Sequence, residues 1–265
     1  MGLDSLSSVT CTIEDGLARI TLAAPERGNP LDGALCRDLR TLANVLPERD
    51  DVRAVLLASS GRFFSVGGDV KAMARDRAAL PGIVREWTVD LHAAIGRLMR
   101  MRAPIVAAVH ADVAGGSVSL VAAADIVVAT ETARFTAAFP MLGFCADSGS
   151  TVTLTQRMGL SRAKRFLMLS ETLDAAAAER AGLVDIVTAA DAVAAKAEAI
   201  AIGLAQGPTL AYGGIKQTML RARTQAIEAQ MEEEAQTLAG LARSDDAWEG
   251  LTAFVEKRKP RFQGR

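Results

Sequence analysis

Cysteine is scarce: Cys11, Cys36 and Cys145 are the three in the chain, and they stand in no metal-ligand or disulfide spacing. A reducing cytoplasm is the plain expectation. No uncharged apolar run reaches the roughly 18 residues that a membrane span needs. The opening Met-Gly-Leu-Asp-Ser-Leu lacks the basic-then-apolar layout of a signal peptide. It also has Leu6 where a myristoylation signal needs Ser or Thr. Charge of neither sign dominates, with 30 basic and 31 acidic residues, and the basic ones are scattered apart from Lys257-Arg258-Lys259. That balance argues against a nucleic-acid partner or a membrane surface. There is no Walker or dinucleotide glycine fingerprint, no low-complexity tail and no strict repeat, and no metal site is expected.

What is present is 265 residues at 50% hydrophobic content, enough for one large domain or a domain with a terminal extension. Val9–Ile13 and Leu17–Leu22 alternate around Asp15-Gly16, a hairpin signal. Asn29-Pro30 reads as an N-cap with Pro at the first helical position, ahead of Leu31, Leu35, Leu39, Leu42 and Val45 at helical spacing. Val52–Ala58 is a buried strand by its near-continuous apolar run. Residues 83–101 form an amphipathic helix, and 105–109, 125–129, 133–136 and 183–187 are further strands. Helices are expected over 148–158, 161–169 and 175–181. From Ala192 onward the chain is mostly helical, broken at Gly207-Pro208 and near Ser244. The fold class is therefore α/β, with parallel pairing of strands separated by helices. An α/β core over residues 1–200 is followed by a helical region over 201–265, which covers the core or packs on a neighbour.

One device occurs twice. The strand at 52–58 runs into Val66-Gly67-Gly68, and the strand at 105–109 runs into Gly115-Gly116 before a small-residue helix. Glycine lets a ligand reach main-chain N–H groups that a Cβ would screen, and a helix N-terminus adds partial positive charge. Two such N–H groups could converge on one carbonyl oxygen as an oxyanion hole. Simple tight packing of strand on helix explains the same glycines.

Several ordered segments together resemble the crotonase (enoyl-CoA hydratase/isomerase) superfamily over nearly the whole chain. They are Pro25–Leu31, Gly61–Lys71, Pro104–Ala129, Gly143–Gly159, Ala181–Val184 and Phe254–Phe262. The resemblance implies a superhelix of repeated ββα units with a C-terminal helical region, and homotrimers or dimers of trimers. It implies an acyl-CoA thioester substrate, with no cofactor beyond its coenzyme A moiety. The thioester carbonyl would be held by the N–H groups of Val66 and Gly116. Arg27, Phe64, Gly68 and Lys71 would serve the CoA and acyl channel, and Phe254 and Lys257 would reach the nucleotide of an adjacent subunit. A solvated charge run accounts for residues 257–259 equally well.

Hydratases of this family use two glutamates, whose places fall here on Ser119 and Phe139. Neither side chain can do acid–base work at neutral pH, so ordinary hydration is not expected. Asp147 remains, where members such as the ring-epoxide phenylacetyl-CoA isomerases carry an acidic residue. Phe139, Met141 and Phe144 are expected to surround it. Asp147 could then shuttle a proton in an enoyl-CoA isomerase. It could instead be the nucleophile of a dehalogenase-type hydrolytic enzyme with His92 assisting, or simply an N-cap for the helix that follows. A CoA-thioester binding protein without chemistry is the third reading. His92 as a packed or edge histidine, and Ser119 as a small packing residue, are the plain structural readings of those positions.

Overall fold

The computed structural model describes residues 2–265. Among them β1 (Val9–Glu14) and β2 (Leu17–Leu22) form the expected hairpin, with Asp15 and Gly16 both at positive φ in the turn. Then follow α1 (Gly33–Val45), β3 (Ala54–Ser59), α2 (Val70–Met73), α3 (Leu80–Arg100), β4 (Ile105–Val109), β5 (Val113–Ala114) and α4 (Gly116–Ala122). Next come β6 (Ile126–Thr130), β7 (Arg134–Thr136), α5 (Ser150–Met158), α6 (Leu160–Met168), β8 (Thr172–Asp174), α7 (Ala175–Arg180) and β9 (Ile186–Thr188). Four helices close the chain: α8 (Val193–Ala205), α9 (Thr209–Arg221), α10 (Ile227–Leu241) and α11 (Asp245–Val255).

A six-stranded sheet has the order β1-β2-β3-β4-β6-β9 and is parallel from β2 onward. A second sheet has the order β5-β7-β8. The ββα repeat is visible in this topology. β4 of the large sheet leads to β5 of the small one and then to α4, and β6 leads to β7 and then to α5. The turn after β3 follows the same course in reduced form, through a single bridge from Ser65 to Val113, and then into α2.

The apolar runs of β3, β4 and β6 follow from burial on both faces. Val55, Leu57, Ile105, Ala107, Val109, Val127 and Ala129 point into one core with α1 and α3. The intervening Ala54, Leu56, Val106, Ala108 and Val128 point into another, against Val193, Ala197, Ala201 and Ala205 of α8. Strand side chains alternate between faces, and each fully buried Leu or Val contributes about 1.5–3 kcal/mol. The four α8 residues recur at helical spacing and form one small-residue face, so a division after residue 200 falls inside a helix that belongs to the sheet. The packing changes instead at Gly207-Pro208. A break over 222–226, unmarked in the sequence reading, separates α9 from α10.

The start of α1 differs from expectation. Its N-cap is Asp32, whose carboxylate accepts from Leu35 N–H at 2.9 Å. Asn29 cannot cap because its amide is committed elsewhere: Oδ1 accepts from Ala24 N–H, and Nδ2 donates to the carbonyls of Ser60, Phe63 and Phe64. Asn29 is 1% exposed and sits at φ +52°. Leu31 is extended beyond it, bridged to Gly68. Leu183 and Val184 likewise lie outside β9, because both N–H groups turn back to Ala178 O at the end of α7.

Asn29 thus ties the first loop to the loop after β3. Replacing it by Ala leaves several buried groups unpaired in a left-handed position. Asn29→Ala is expected to destabilise the fold by about 3 kcal/mol, measured by urea unfolding with the slope unchanged.

Candidate functional site

The two glycine loops lie against each other. Ala114 N–H donates to Ser65 O at 3.0 Å, and the hydroxyls of Ser65 and Ser117 are 2.6 Å apart. A Cβ on Gly67 would lie 2.7 Å from Ala114 O, which only glycine at φ +83° avoids. Leu31 N–H donates to Gly67 O at 2.8 Å, and Asp69 N–H to Leu31 O at 3.2 Å. The loop after β3 is therefore held from both sides.

This bonding decides which N–H groups remain free. Val66 N–H already donates to Gly28 O at 3.0 Å, so it is not the open donor expected from the sequence. Gly67 N–H lies 3.3 Å from Ser65 Oγ. Among the described residues, Gly68 N–H and Gly116 N–H have no acceptor. Gly116 is the first residue of α4, where a helix leaves its N–H unpaired.

Both glycines line a cavity of about 200 Å³. Its walls are mainly apolar, with Leu31, Met73, Trp87, Leu91 and Phe139 among them. Trp87 and Leu91 come from α3 and were missed as site residues, because their helical spacing looked like ordinary packing. Cys36 also lines the cavity. Burial and the carboxylates of Asp32, Asp90 and Asp147 push its thiol up to about 12, so it is protonated and unreactive at neutral pH.

Asp147 is the one carboxylate on the cavity wall among the described residues. Its Oδ1 accepts from Ser148 Oγ at 2.8 Å, and its carbonyl accepts from Ser150 N–H at 2.8 Å. It is not the side-chain cap of α5, whose N-cap is Gly149 with no side-chain hydrogen bond. That helix starts two residues later than expected, since Ser148 and Gly149 are both left-handed, at φ +54° and +72°. The surround is also more open than expected: Phe139 is partly buried, but Met141 is 72% and Phe144 40% exposed.

At the two glutamate positions the structure has other contents. Phe139 lines the cavity. Ser119 is fully buried, and its Oγ lies 3.0 Å from Ser150 Oγ and 2.9 Å from Thr153 Oγ1. These hydroxyls join α4 to α5 and do not line the cavity. Asp112, a charge beside the second loop, accepts from Arg134 N–H, Nε and Nη2 at 3.0, 3.1 and 2.8 Å. It clamps that loop to β7.

The other expected binding residues divide. Phe64 is fully buried in the core, so its ring has no surface to offer a ligand. Arg27 is exposed and does not line the cavity, and its Nη1 lies 2.6 Å from Asp32 Oδ2 and 3.7 Å from Asp69 Oδ2. Lys71 is exposed on α2. Phe254, 84% exposed, and Lys257 lie on and after α11, outside the cavity of their own chain.

The model of the enoyl-CoA hydratase/isomerase family matches residues 12–265. The chain belongs to this family. Within it, the chain is 34% identical to a Rhodobacter capsulatus protein named "Probable enoyl-CoA hydratase", over 98% of this chain and 100% of that one. It is 32% identical to the 1,2-epoxyphenylacetyl-CoA isomerase of Escherichia coli, over 96% and 97% of the two chains. The solved enoyl-CoA hydratase of Mycobacterium smegmatis is 28% identical and superposes with a TM-score of 0.89, covering 97% of this chain and 99% of that one. Crotonase-fold membership and an acyl-CoA hydratase/isomerase family enzyme thus follow from fold and sequence together.

A methyl group on Gly116 would collide with Ser148 Oγ and lie 3.0 Å from Leu31 Cδ1. Gly116→Ala must therefore displace Ser148 or the unpaired N–H of residue 116, and is expected to lower kcat about 100-fold, the scale measured for removing one preorganised hydrogen-bond donor from an active site. The Tm should fall by only a few degrees. Parallel steady-state kinetics and calorimetry check this.

Proposed function

We propose that this enzyme moves a double bond in an enoyl-CoA thioester, with Asp147 as the proton shuttle and the N–H groups of Gly68 and Gly116 as the oxyanion hole. The observation that carries the reading is the single carboxylate on the cavity wall, with Ser119 and Phe139 in place of the two glutamates.

The chemistry balances with one carboxylate. A 3-enoyl thioester binds with its carbonyl oxygen between the two free N–H groups. Asp147 removes a proton from C2, and the electron pair moves onto the thioester oxygen as a dienolate. The two donors stabilise that charge more than they stabilise the neutral carbonyl, which is the requirement for catalysis. Protonated Asp147 then returns the proton at C4, the double bond forms between C2 and C3, and the carboxylate is regenerated. Hydration of the kind the two-glutamate hydratases perform would need a second carboxylate, and none lines the cavity among the described residues.

The apolar walls support an acyl chain without charge, and the exposed Lys71 and Arg27 would serve the CoA phosphates. A homotrimer or dimer of trimers fits the apolar surface of α11, where Trp248 is 72%, Leu251 64% and Val255 79% exposed. Assembly would bring Phe254 and Lys257 to a neighbour's nucleotide. The hydrolytic alternative, with Asp147 as nucleophile, is less well supported because His92 Nε2 is engaged by Ser148 N–H at 2.9 Å.

The test is incubation with 2- and 3-enoyl-CoAs in deuterated water, followed by NMR. Bond migration with deuterium at C2 or C4 is expected from wild type, falling at least about 100-fold in Asp147→Asn. Full activity in the variant would place the chemistry on another residue. Binding without turnover across the panel would favour a thioester-binding protein, and a trapped Asp147 ester would favour the hydrolytic reading.

A further inference from the structure

His92 lies on α3 and plays no part in the chemistry above. Its Nε2 is 2.9 Å from the backbone N–H of Ser148. An amide N–H can only donate, so Nε2 must be a bare lone pair and the ring proton must sit on Nδ1. The other histidine, His110, shows the reverse. Its Nε2 is 2.8 Å from Gly61 O, which can only accept, so its proton is on Nε2. The two histidines of this chain therefore use Nε2 in opposite ways, as an acceptor in His92 and as a donor in His110.

Ser148 is the residue through which this matters. It is 1% exposed and left-handed, a conformation that a non-glycine residue keeps only when its surroundings enforce it. Its Oγ donates to Asp147 Oδ1 at 2.8 Å, and it occupies the space into which a side chain on Gly116 would project. One residue thus faces the carboxylate with its hydroxyl, borders an anion donor with its side chain, and is anchored by its N–H to His92.

We propose that His92 is a positioning residue, whose Nε2 lone pair locks Ser148 in its left-handed turn and thereby aims the Asp147 carboxylate at the substrate. The effect on rate rests on the acid–base reading of Asp147, whereas the tautomer does not. His92 never meets the substrate in this account. It acts by preventing the 147–149 turn from relaxing towards the ordinary right-handed region, which would swing the carboxylate away.

Two measurements test this. The first is a long-range ¹H–¹⁵N NMR correlation on protein labelled at histidine, assigned with a His110→Gln variant. His92 is expected in the Nδ1–H form and His110 in the Nε2–H form at neutral pH. The second is kinetics on whichever 3-enoyl-CoA of the panel turns over fastest. His92→Leu keeps the bulk but lacks an acceptor, and should lose about 10–100-fold in kcat with KM changed less than about threefold, as misaimed catalytic groups do. His92→Gln puts an amide oxygen near the place of Nε2 and should recover at least half of that loss on a logarithmic scale. A merely structural role would lower Tm equally in both variants without this split. The two readings fail separately. Full activity in Asp147→Asn removes the acid–base assignment. A His92 found in the Nε2–H form, or a His92→Leu enzyme as fast as wild type, overturns the positioning role.

Discussion

Everything in the site depends on bringing two pieces of bare backbone close together. Ser65, Gly67, Ala114, Gly115 and Ser117 do this by hydrogen bonds and by missing side chains. The large sheet supplies the platform: β3 and β4 are parallel neighbours, so the loops leaving their C-terminal ends emerge side by side. Asn29 and Leu31 then pin the first loop from outside, and Asp112 clamps the second to β7. With Val66 N–H bonded to Gly28 O, the free donors are left at Gly68 and Gly116. Such donors cost little reorganisation when charge develops beside them, because the scaffold has already oriented them.

Beside those free donors the cavity wall is sparse in titratable oxygen, with Asp147 the one carboxylate among the described residues. At the two positions where the family resemblance leads one to expect glutamates, this chain has a ring facing the cavity, Phe139, and a hydroxyl off it, Ser119. The Ser119–Ser150–Thr153 contacts fasten α4 to α5. That fastening sets α5 immediately behind the turn that carries Asp147.

Much of the fold was legible because both its periodicities are strong. The continuous apolar runs of β3, β4 and β6 mean strands buried on two faces, and they are. The Asp15-Gly16 hairpin and the break at Gly207-Pro208 also stand where turn chemistry puts them. What could not be read was long-range hydrogen bonding. Asn29-Pro30 has the local chemistry of a helix start, but tertiary partners 31 to 35 residues away take the Asn29 amide. The same holds for Val66: glycine-rich composition marked the loop correctly, whereas the identity of the free N–H depended on which carbonyl lay opposite. Phe64 shows the related limit for side chains, since an aromatic beside a glycine loop can face the core or the channel, and here it faces the core. His92 was legible only as a position on an amphipathic helix, because its partner is a backbone N–H far along the chain.

The most direct measurement is a crystal structure with a saturated acyl-CoA such as hexanoyl-CoA, which offers the thioester carbonyl but no double bond to move. The thioester oxygen should lie within about 3.2 Å of both Gly68 N and Gly116 N, with the acyl chain against Trp87 and Phe139 and C2 facing Asp147. A thioester oxygen held by any other donor, or C2 turned away from the carboxylate, would contradict the account.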